Sequence, residues 1–154
     1  MAVEHSTLTS TDLHEPKGVA AANADEIYIA NGSGSGVWTA ADNNIYLQGT
    51  IADISTAGSS WIVAPCAGTI TNIRTIINGA ISGGDAAITF EINGTAVTGG
   101  SITIANSGSA AGDVDSCTPS GARVLAAGNK LEAITDGGST NTIIAEIMYT
   151  ITPL

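Results

Sequence analysis

Charge is scarce in this chain of 154 residues, and most of it is negative. Only 12% of the residues are charged, and fourteen acidic residues against four basic ones give a formal net charge of −10. A surface of that sign is repelled by the phosphates of nucleic acids and by anionic lipid headgroups. The shortage of basic residues therefore argues against a nucleic acid or a membrane surface as a partner.

Histidine and cysteine, which carry much of enzyme chemistry, are nearly absent. The two histidines, His5 and His14, both lie close to the beginning of the chain, so a hydrolytic triad elsewhere would lack its base. The two cysteines, Cys66 and Cys117, are far apart in sequence with no histidine nearby, which does not match the spacing of a zinc site. We expect two buried thiols rather than a disulfide framework, and no enzymatic activity, cofactor or metal.

Calcium is an alternative that the sequence leaves open. Asp113 and Asp115, or Asp136 in the segment TDGGS, could supply the oxygen ligands that calcium prefers. Aspartates beside glycine in loops more often bond to the nearby backbone and shape turns. We therefore predict a turn role for these three aspartates.

Long apolar runs are missing as well. No segment approaches the roughly 20 consecutive apolar residues that a membrane-spanning helix needs. Residues 1–20 contain Glu4, Asp12 and Glu15 where a secretory signal would have its apolar core. This pattern predicts a soluble protein made in the cytosol, or one whose leader has been removed.

What the chain does have is a strong strand pattern, clearest in residues 85–105, DAAITFEINGTAVTGGSITIA. Apolar and polar residues alternate from Ile88 to Ile92, as in a strand with one buried face. Asn93-Gly94 follows, a dipeptide suited to a type I′ hairpin turn, and Gly99-Gly100 is a second turn signal. We predict three antiparallel strands here, a meander to which the rest of the chain pairs.

Similar patterns recur on both sides of this segment. Residues 143–151 alternate clearly, residues 129–135 form a short strand pattern, and residues 45–65 contain one or two more. Residues 67–78 (AGTITNIRTIIN) have isoleucines at a helical spacing, but their β-branched composition favours a strand. About eight strands at intervals of ten to twelve residues predict a β-sandwich over residues 45–154.

The N-terminal part lacks such a pattern. Residues 1–24 have scattered apolar residues without a period, and Glu15 to Gly18 (EPKG) fit a type I turn. Two short strand patterns follow, at residues 26–30 and 37–39, separated by the glycine-rich segment NGSGSG. We predict an extended arm with short strands over residues 1–44.

Two phrases of the sequence resemble structural proteins of tailed bacteriophages: HEPKGVAAANADEIYIANGSGSGVW (residues 14–38) and APCAGTITNIRTIINGAISGGDAAITFEINGTAV (residues 64–97). They are similar to capsid decoration (cement) and head-fibre proteins, whose main domain is a small antiparallel jelly roll. The segment SGSAAGDVDSCTPSGA and the DGGST turn before the last strand also fit that pattern. The resemblance implies an all-β, jelly-roll-like β-sandwich with an extended N-terminal arm.

The resemblance also implies a role and partners. It suggests a virion structural protein, made in the host cytoplasm, that decorates and stabilises the capsid as a homotrimer with its arm on the major capsid protein. The expected capsid contacts lie in the arm: His14, Glu15, Pro16, Lys17 and Val19 belong to the segment that matches, and Leu13, an expected apolar anchor, directly precedes it. Strands with almost no lysine or proline to protect their edges point independently to an assembly.

Two other functions stay open. One is a receptor-binding or glycan-binding tip of a tail fibre or head fibre with the same jelly roll. The other, less favoured, is a β-sandwich enzyme acting on polysaccharides, for which the chain offers few aromatic residues to bind a sugar chain.

Overall fold

The computed structural model describes residues 22–23, 26–33 and 36–154, which form eleven β-strands and no helix. The chain divides into two compact units, Met1–Asp42 and Asn43–Leu154. The all-β class expected from the sequence is confirmed. No helix that is long and apolar enough to span a membrane occurs in the part of the chain described here.

The strands are short to medium in length and follow one another closely. In the first unit, β1 (Glu26–Ala30) pairs antiparallel with β2 (Gly36–Ala40). The second unit contains β3 (Ile45–Ile51), β4 (Gly58–Val63), β5 (Gly68–Ile77), β6 (Ala86–Ile92), β7 (Thr95–Ile104), β8 (Val114–Cys117), β9 (Val124–Leu125), β10 (Lys130–Thr135) and β11 (Ala145–Pro153).

The strands of the second unit form two antiparallel sheets. One sheet has the order β4-β10-β6-β7, and the other has the order β3-β11-β5-β8, with β9 also paired to β5. When β8 and β9 are counted as one interrupted strand, the strand pairs are nested, from the outermost pair to the innermost. The first strand pairs with the last, the second with the second to last, and so on: β3 with β11, β4 with β10, β5 with β8 and β9, and β6 with β7. This nested pairing, divided between two sheets, is the jelly-roll arrangement expected from the sequence.

The innermost hairpin, β6–β7, turns where the sequence predicts. Asn93 and Gly94 both have positive φ, 50° and 83°, as a type I′ turn requires. The side chain of Asn93 adds a tertiary contact, because its Oδ1 accepts a hydrogen bond from the Lys130 backbone N–H at 2.8 Å. The turn is thereby fixed to the neighbouring strand β10.

The predicted three-stranded meander is wrong in its last part, because β7 is one strand. Thr89 pairs with Ser101 whereas Glu91 pairs with Ala96, so the extra residues between Ala96 and Ser101 form a bulge opposite β6. Gly99 has a φ of 71°, which glycine adopts without strain. The Gly99-Gly100 signal therefore marks a bulge rather than a second turn.

A second bulge explains the helical spacing of isoleucines in β5. Thr150 of β11 pairs with Asn72, and the next residue, Ile151, pairs with Ile70, so one extra residue of β5 is accommodated there. The bulge shifts the alternation by one position, which lets both Ile70 and Ile73 point inward and be buried. The strand expected over residues 67–78 is confirmed as β5.

The core lies between the two sheets and consists mostly of isoleucine. Phe90 of β6 and Tyr149 of β11 meet across it in an edge-to-face contact, with ring centroids 5.7 Å apart and an interplanar angle of 82°. Around this contact lie the other large, fully buried side chains: Ile54, Ile70, Ile73, Ile77, Ile88, Ile104, Leu125, Leu131, Ile147 and Ile151. The core therefore joins the inward faces of both sheets.

Replacing Ile147 by alanine tests the facing of β11. Ile147 is 2% exposed, so its truncation should lower the free energy of unfolding by about 2–5 kcal/mol. Thr150→Ala, on the outward face, should change it by no more than about 0.5 kcal/mol. Chemical denaturation of both variants measures the difference, and equal losses would show that the facing assignment is wrong.

Candidate interaction surfaces

The six residues predicted to contact a capsid lie in the first unit, outside the described residues. They are Leu13, His14, Glu15, Pro16, Lys17 and Val19. The predicted turn at residues 15–18 and both histidines lie outside them as well. The structure brings none of these side chains to a described site, and their role stays a prediction.

The described part of the first unit does present an apolar surface, on one face of the β1–β2 hairpin. Ile29 pairs with Val37, and Ile27 lies two residues before Ile29, so all three side chains share one face. They are 49%, 64% and 50% exposed, respectively. We call Ile27, Ile29 and Val37 the hairpin face.

The opposite side of the hairpin carries an aromatic pair. Tyr28 and Trp38 are register partners, and their ring centroids are 5.3 Å apart. Aromatic pairs of this kind stabilise a two-stranded ribbon, which is otherwise marginal in water. The hairpin thus has one side with paired rings and another side with exposed aliphatic groups.

The edge strands of the sandwich lack two protections that monomeric β-proteins commonly use, lysine and proline. Its edge strands are β3, β4, β7 and β8, and their sequences contain neither lysine nor proline. The strands β3 and β4 contain no charged residue and lie next to each other. A Cβ atom added at Gly49 of β3 would lie 3.6 Å from the side chain of Ile62 of β4. This side of the sandwich thus brings two strand edges together and is a candidate contact surface for another chain.

The outer face of the β3-β11-β5-β8 sheet holds a shallow depression of about 640 Å³. Its lining mixes a cation, an anion and apolar groups: Gln48, Arg74, Ile76, Val114, Glu146 and Met148 contribute side chains. Thr50 Oγ1 donates a hydrogen bond to Glu146 Oε2, which holds that carboxylate on the sheet. We call this surface the Arg74 face.

The outer face of the other sheet centres on Glu132 of β10. Trp61 of β4 lies opposite Glu132 in the register, Ser59 shares the face of Trp61, and the Glu132 carboxylate forms an ion pair with Lys130 at 3.4 Å. The Trp61 side chain remains 55% exposed beside this carboxylate. Sequence reasoning did not single out this group, although a tryptophan within the small-residue segment GSSWIV was a usable signal.

These contacts change the acidity of Glu132. The hydrogen bond from Ser59 is the main cause that lowers the pKa of the carboxyl group, with smaller effects from Trp61 and Lys130. A depressed pKa means that the folded state favours the ionised form. The resulting stabilisation is present above the unfolded-state pKa and is lost as the pH falls through the folded-state pKa.

The aspartates considered for calcium take part in turns. Asp136 Oδ1 accepts hydrogen bonds from the backbone N–H groups of Ala87 and Gly138, at 3.0 and 2.9 Å. Asp113 Oδ2 accepts one from the Ala110 N–H. Among the described residues no group of three or more histidine, cysteine, aspartate or glutamate side chains is placed to hold a metal ion. The predicted turn role is confirmed for Asp113 and Asp136 but is wrong for Asp115, which lies within β8 and pairs with Thr75.

The two cysteines are free thiols, as expected, but each is half-buried rather than buried. Cys117 packs against the core, and this desolvation raises the pKa of its thiol. It is therefore a poor nucleophile at neutral pH. The described residues offer interaction surfaces rather than an assembled set of reactive groups.

Comparison with known proteins gives no match, whether to a protein family, a curated protein or a solved structure. Any functional assignment therefore has to come from the residues and surfaces described above.

The acidity of Glu132 can be tested by removing the Ser59 hydroxyl. Ser59→Ala should raise the pKa of Glu132 toward its ordinary value, because it removes the largest single cause that lowers that pKa. Carboxyl-carbon NMR titration of the variant and of the unmodified chain measures the shift. An unchanged pKa in Ser59→Ala would show that Ser59 does not act on this carboxylate.

Proposed function

We propose that this chain is a structural protein of a bacteriophage virion, which decorates the exterior of the capsid and stabilises it. In this proposal the first unit is the anchor, and the jelly roll forms the exposed body. The role is structural rather than catalytic, and the partner is the major capsid protein. The resemblance of residues 14–38 and 64–97 to phage decoration and head-fibre proteins motivates it.

One observation of the structure carries the proposal: the exposed hairpin face in the unit that contains the arm. Three large aliphatic side chains, each about half exposed or more, lie together on a ribbon of only two strands. Grouped apolar side chains of this kind are typical of surfaces that become covered by a partner. A capsid surface that covers Ile27, Ile29 and Val37 would stabilise the hairpin as well as bind it.

The charge of the first unit indicates what kind of surface its partner would present. Residues 1–42 contain six acidic residues and one basic residue, Lys17. A complementary surface on the capsid protein would therefore offer apolar grooves flanked by basic groups. Leu13, Pro16 and Val19 would supply apolar anchors, and His14, Glu15 and Lys17 would supply polar contacts.

Stabilisation of a capsid would follow from mass action. A protein that binds the assembled shell but not its dissociated subunits shifts the equilibrium toward the shell. Oligomerisation would strengthen this effect. Once one arm of an oligomer is bound, its other arms bind with a high effective concentration. We propose a homotrimer, in which the unprotected β3 and β4 edges of the sandwich contact the neighbouring copy.

A truncated chain tests the anchor. Deleting residues 1–24 should abolish co-sedimentation with undecorated capsids at physiological salt and leave the jelly roll folded. Ordering an arm costs about 1–2 kcal/mol per residue, so apolar and hydrogen-bonded contacts are needed to offset it. Undiminished binding by the truncated chain would place the contact on the retained hairpin face or on the sandwich instead.

A matched pair of point variants refines this test. Val37 on the hairpin face and Val124 on the sandwich are similarly exposed, at 64% and 61%. If the hairpin face is covered in the complex, Val37→Ser should weaken capsid binding by about tenfold, since a buried valine contributes over 1 kcal/mol. Val124→Ser is the control and should bind as the unmodified chain does.

Sedimentation of residues 45–154 alone tests the trimer. The unprotected edges lie in this segment, so we expect it to have three times the mass of one chain at micromolar concentration. A stable monomer under those conditions would contradict the trimer and leave the capsid contact of the arm untouched.

The glycan-binding alternative has one observation in its favour. Trp61 presents a half-exposed ring next to the Glu132 carboxylate, and aromatic rings beside hydrogen-bonding groups suit binding of a sugar. Location in the virion distinguishes the two functions. Antibody labelling spread over the head supports decoration, whereas labelling confined to a fibre tip supports glycan recognition.

A further inference from the structure

We propose that the Arg74 face is a two-fold contact surface between two copies of this chain. The inference does not depend on the proposed capsid role, because it comes from the pattern of charge and apolar groups on one sheet. It is also separate from the proposed trimer contact, which uses the β3 and β4 edges.

Arg74 is the basic side chain of the described residues that lacks a partner. Of the other two, Arg123 donates a hydrogen bond to the Pro119 carbonyl oxygen at 2.9 Å, and Lys130 pairs with Glu132. No hydrogen bond or ion pair joins the Arg74 guanidinium to any residue in the described ranges. In a chain of net charge −10, an exposed and unpaired guanidinium is the group best suited to receive a carboxylate.

The strand register arranges four residues of this face as a square. Glu146 lies opposite Ile76, and Met148 lies opposite Arg74. The two charges therefore occupy one diagonal and the two apolar side chains occupy the other. Diagonal neighbours on a sheet are about 7–8 Å apart, and Arg74 and Glu146 accordingly form no ion pair within one chain.

This square is complementary to itself under a two-fold rotation. If the axis runs along the diagonal from Ile76 to Met148, the rotation exchanges the positions of the two charges. Arg74 then meets Glu146 of the partner subunit, and Glu146 meets the partner subunit's Arg74. The apolar residues near the axis meet their own copies, and Val114, 59% exposed beside Ile76, extends the apolar contact.

The area of the face determines how strong this contact can be. Four strands about 4.8 Å apart, over roughly 14 Å of strand, cover a few hundred Å², less than the about 800 Å² per partner of a standard interface. We therefore expect a dissociation constant of about 0.1–1 mM. Such a contact would matter where copies are already held close together, since effective concentration then replaces free concentration.

Sedimentation equilibrium of the full chain from micromolar to millimolar concentration tests the proposal. The mass should double with rising concentration, whether the starting species is a monomer or a trimer, so failure of the trimer does not affect the outcome. Arg74→Glu and Glu146→Arg should each weaken the doubling by about tenfold, because each substitution turns two attractions into two repulsions.

The decisive sample is an equimolar mixture of the two single variants. A face with two negative charges then meets a face with two positive charges, so the mixture should regain the doubling that neither variant shows alone. The control is Lys130→Glu, which changes the net charge as Arg74→Glu does but on the other sheet. It should behave as the unmodified chain does. Thermal unfolding checks that every variant is folded.

Two outcomes would overturn the proposal. The first is an unmodified chain that does not double at about 1 mM, and the second is a mixture no better than its components. If the unmodified chain does not double and Arg74→Glu also loses capsid binding, the face belongs to a contact with a different protein.

Discussion

The contact between Phe90 and Tyr149 is the point at which the two sheets of the jelly roll are held together. Each ring belongs to an inner strand of its sheet, β6 or β11, so the pair links the middle of the fold rather than an edge. The first strand of the sandwich pairs with the last, and this nesting brings distant segments into one core. With few aromatic residues available, isoleucine fills the remaining space, and its β-branched side chain suits both the strands and the packing.

Because a single apolar core holds the jelly roll together, the residues on its outer surfaces are free to vary. Both sheets are buried on one face only, so outward residues such as Arg74, Glu132 and Trp61 contribute little to the core. The Arg74 face and the Glu132 group are accordingly built from outward positions of the two sheets, and the hairpin face belongs to the first unit. The body of the protein can thus present several contacts at once without loss of its fold, as a component of an assembly would need.

Alternation and turn chemistry made most of the strands predictable from the sequence. Asn93-Gly94 predicted its turn because few dipeptides accept positive φ at both positions. Gly99-Gly100 was misleading because a turn and a bulge both need glycine, and only pairing with β6 distinguishes them. Trp61 was a usable signal in the sequence, but its place beside Glu132 and the arrangement of the Arg74 face could not be predicted, because each joins strands distant in sequence whose register is set by the core.

The strand register, which the core sets, also explains why the chain has so few charges. On a sheet exposed on one face, each outward charge lies next to residues of two neighbouring strands, so its sign has to suit all of them. Lys130 and Glu132 satisfy each other on one strand, whereas Arg74 and Glu146 lie on a diagonal and do not meet within the chain. A charge pair that its own fold keeps apart, beside exposed Ile76 and Val114, costs little in an isolated molecule and becomes favourable only against a second surface. In that sense the outer face of the β3-β11-β5-β8 sheet is arranged for contact rather than for solubility alone.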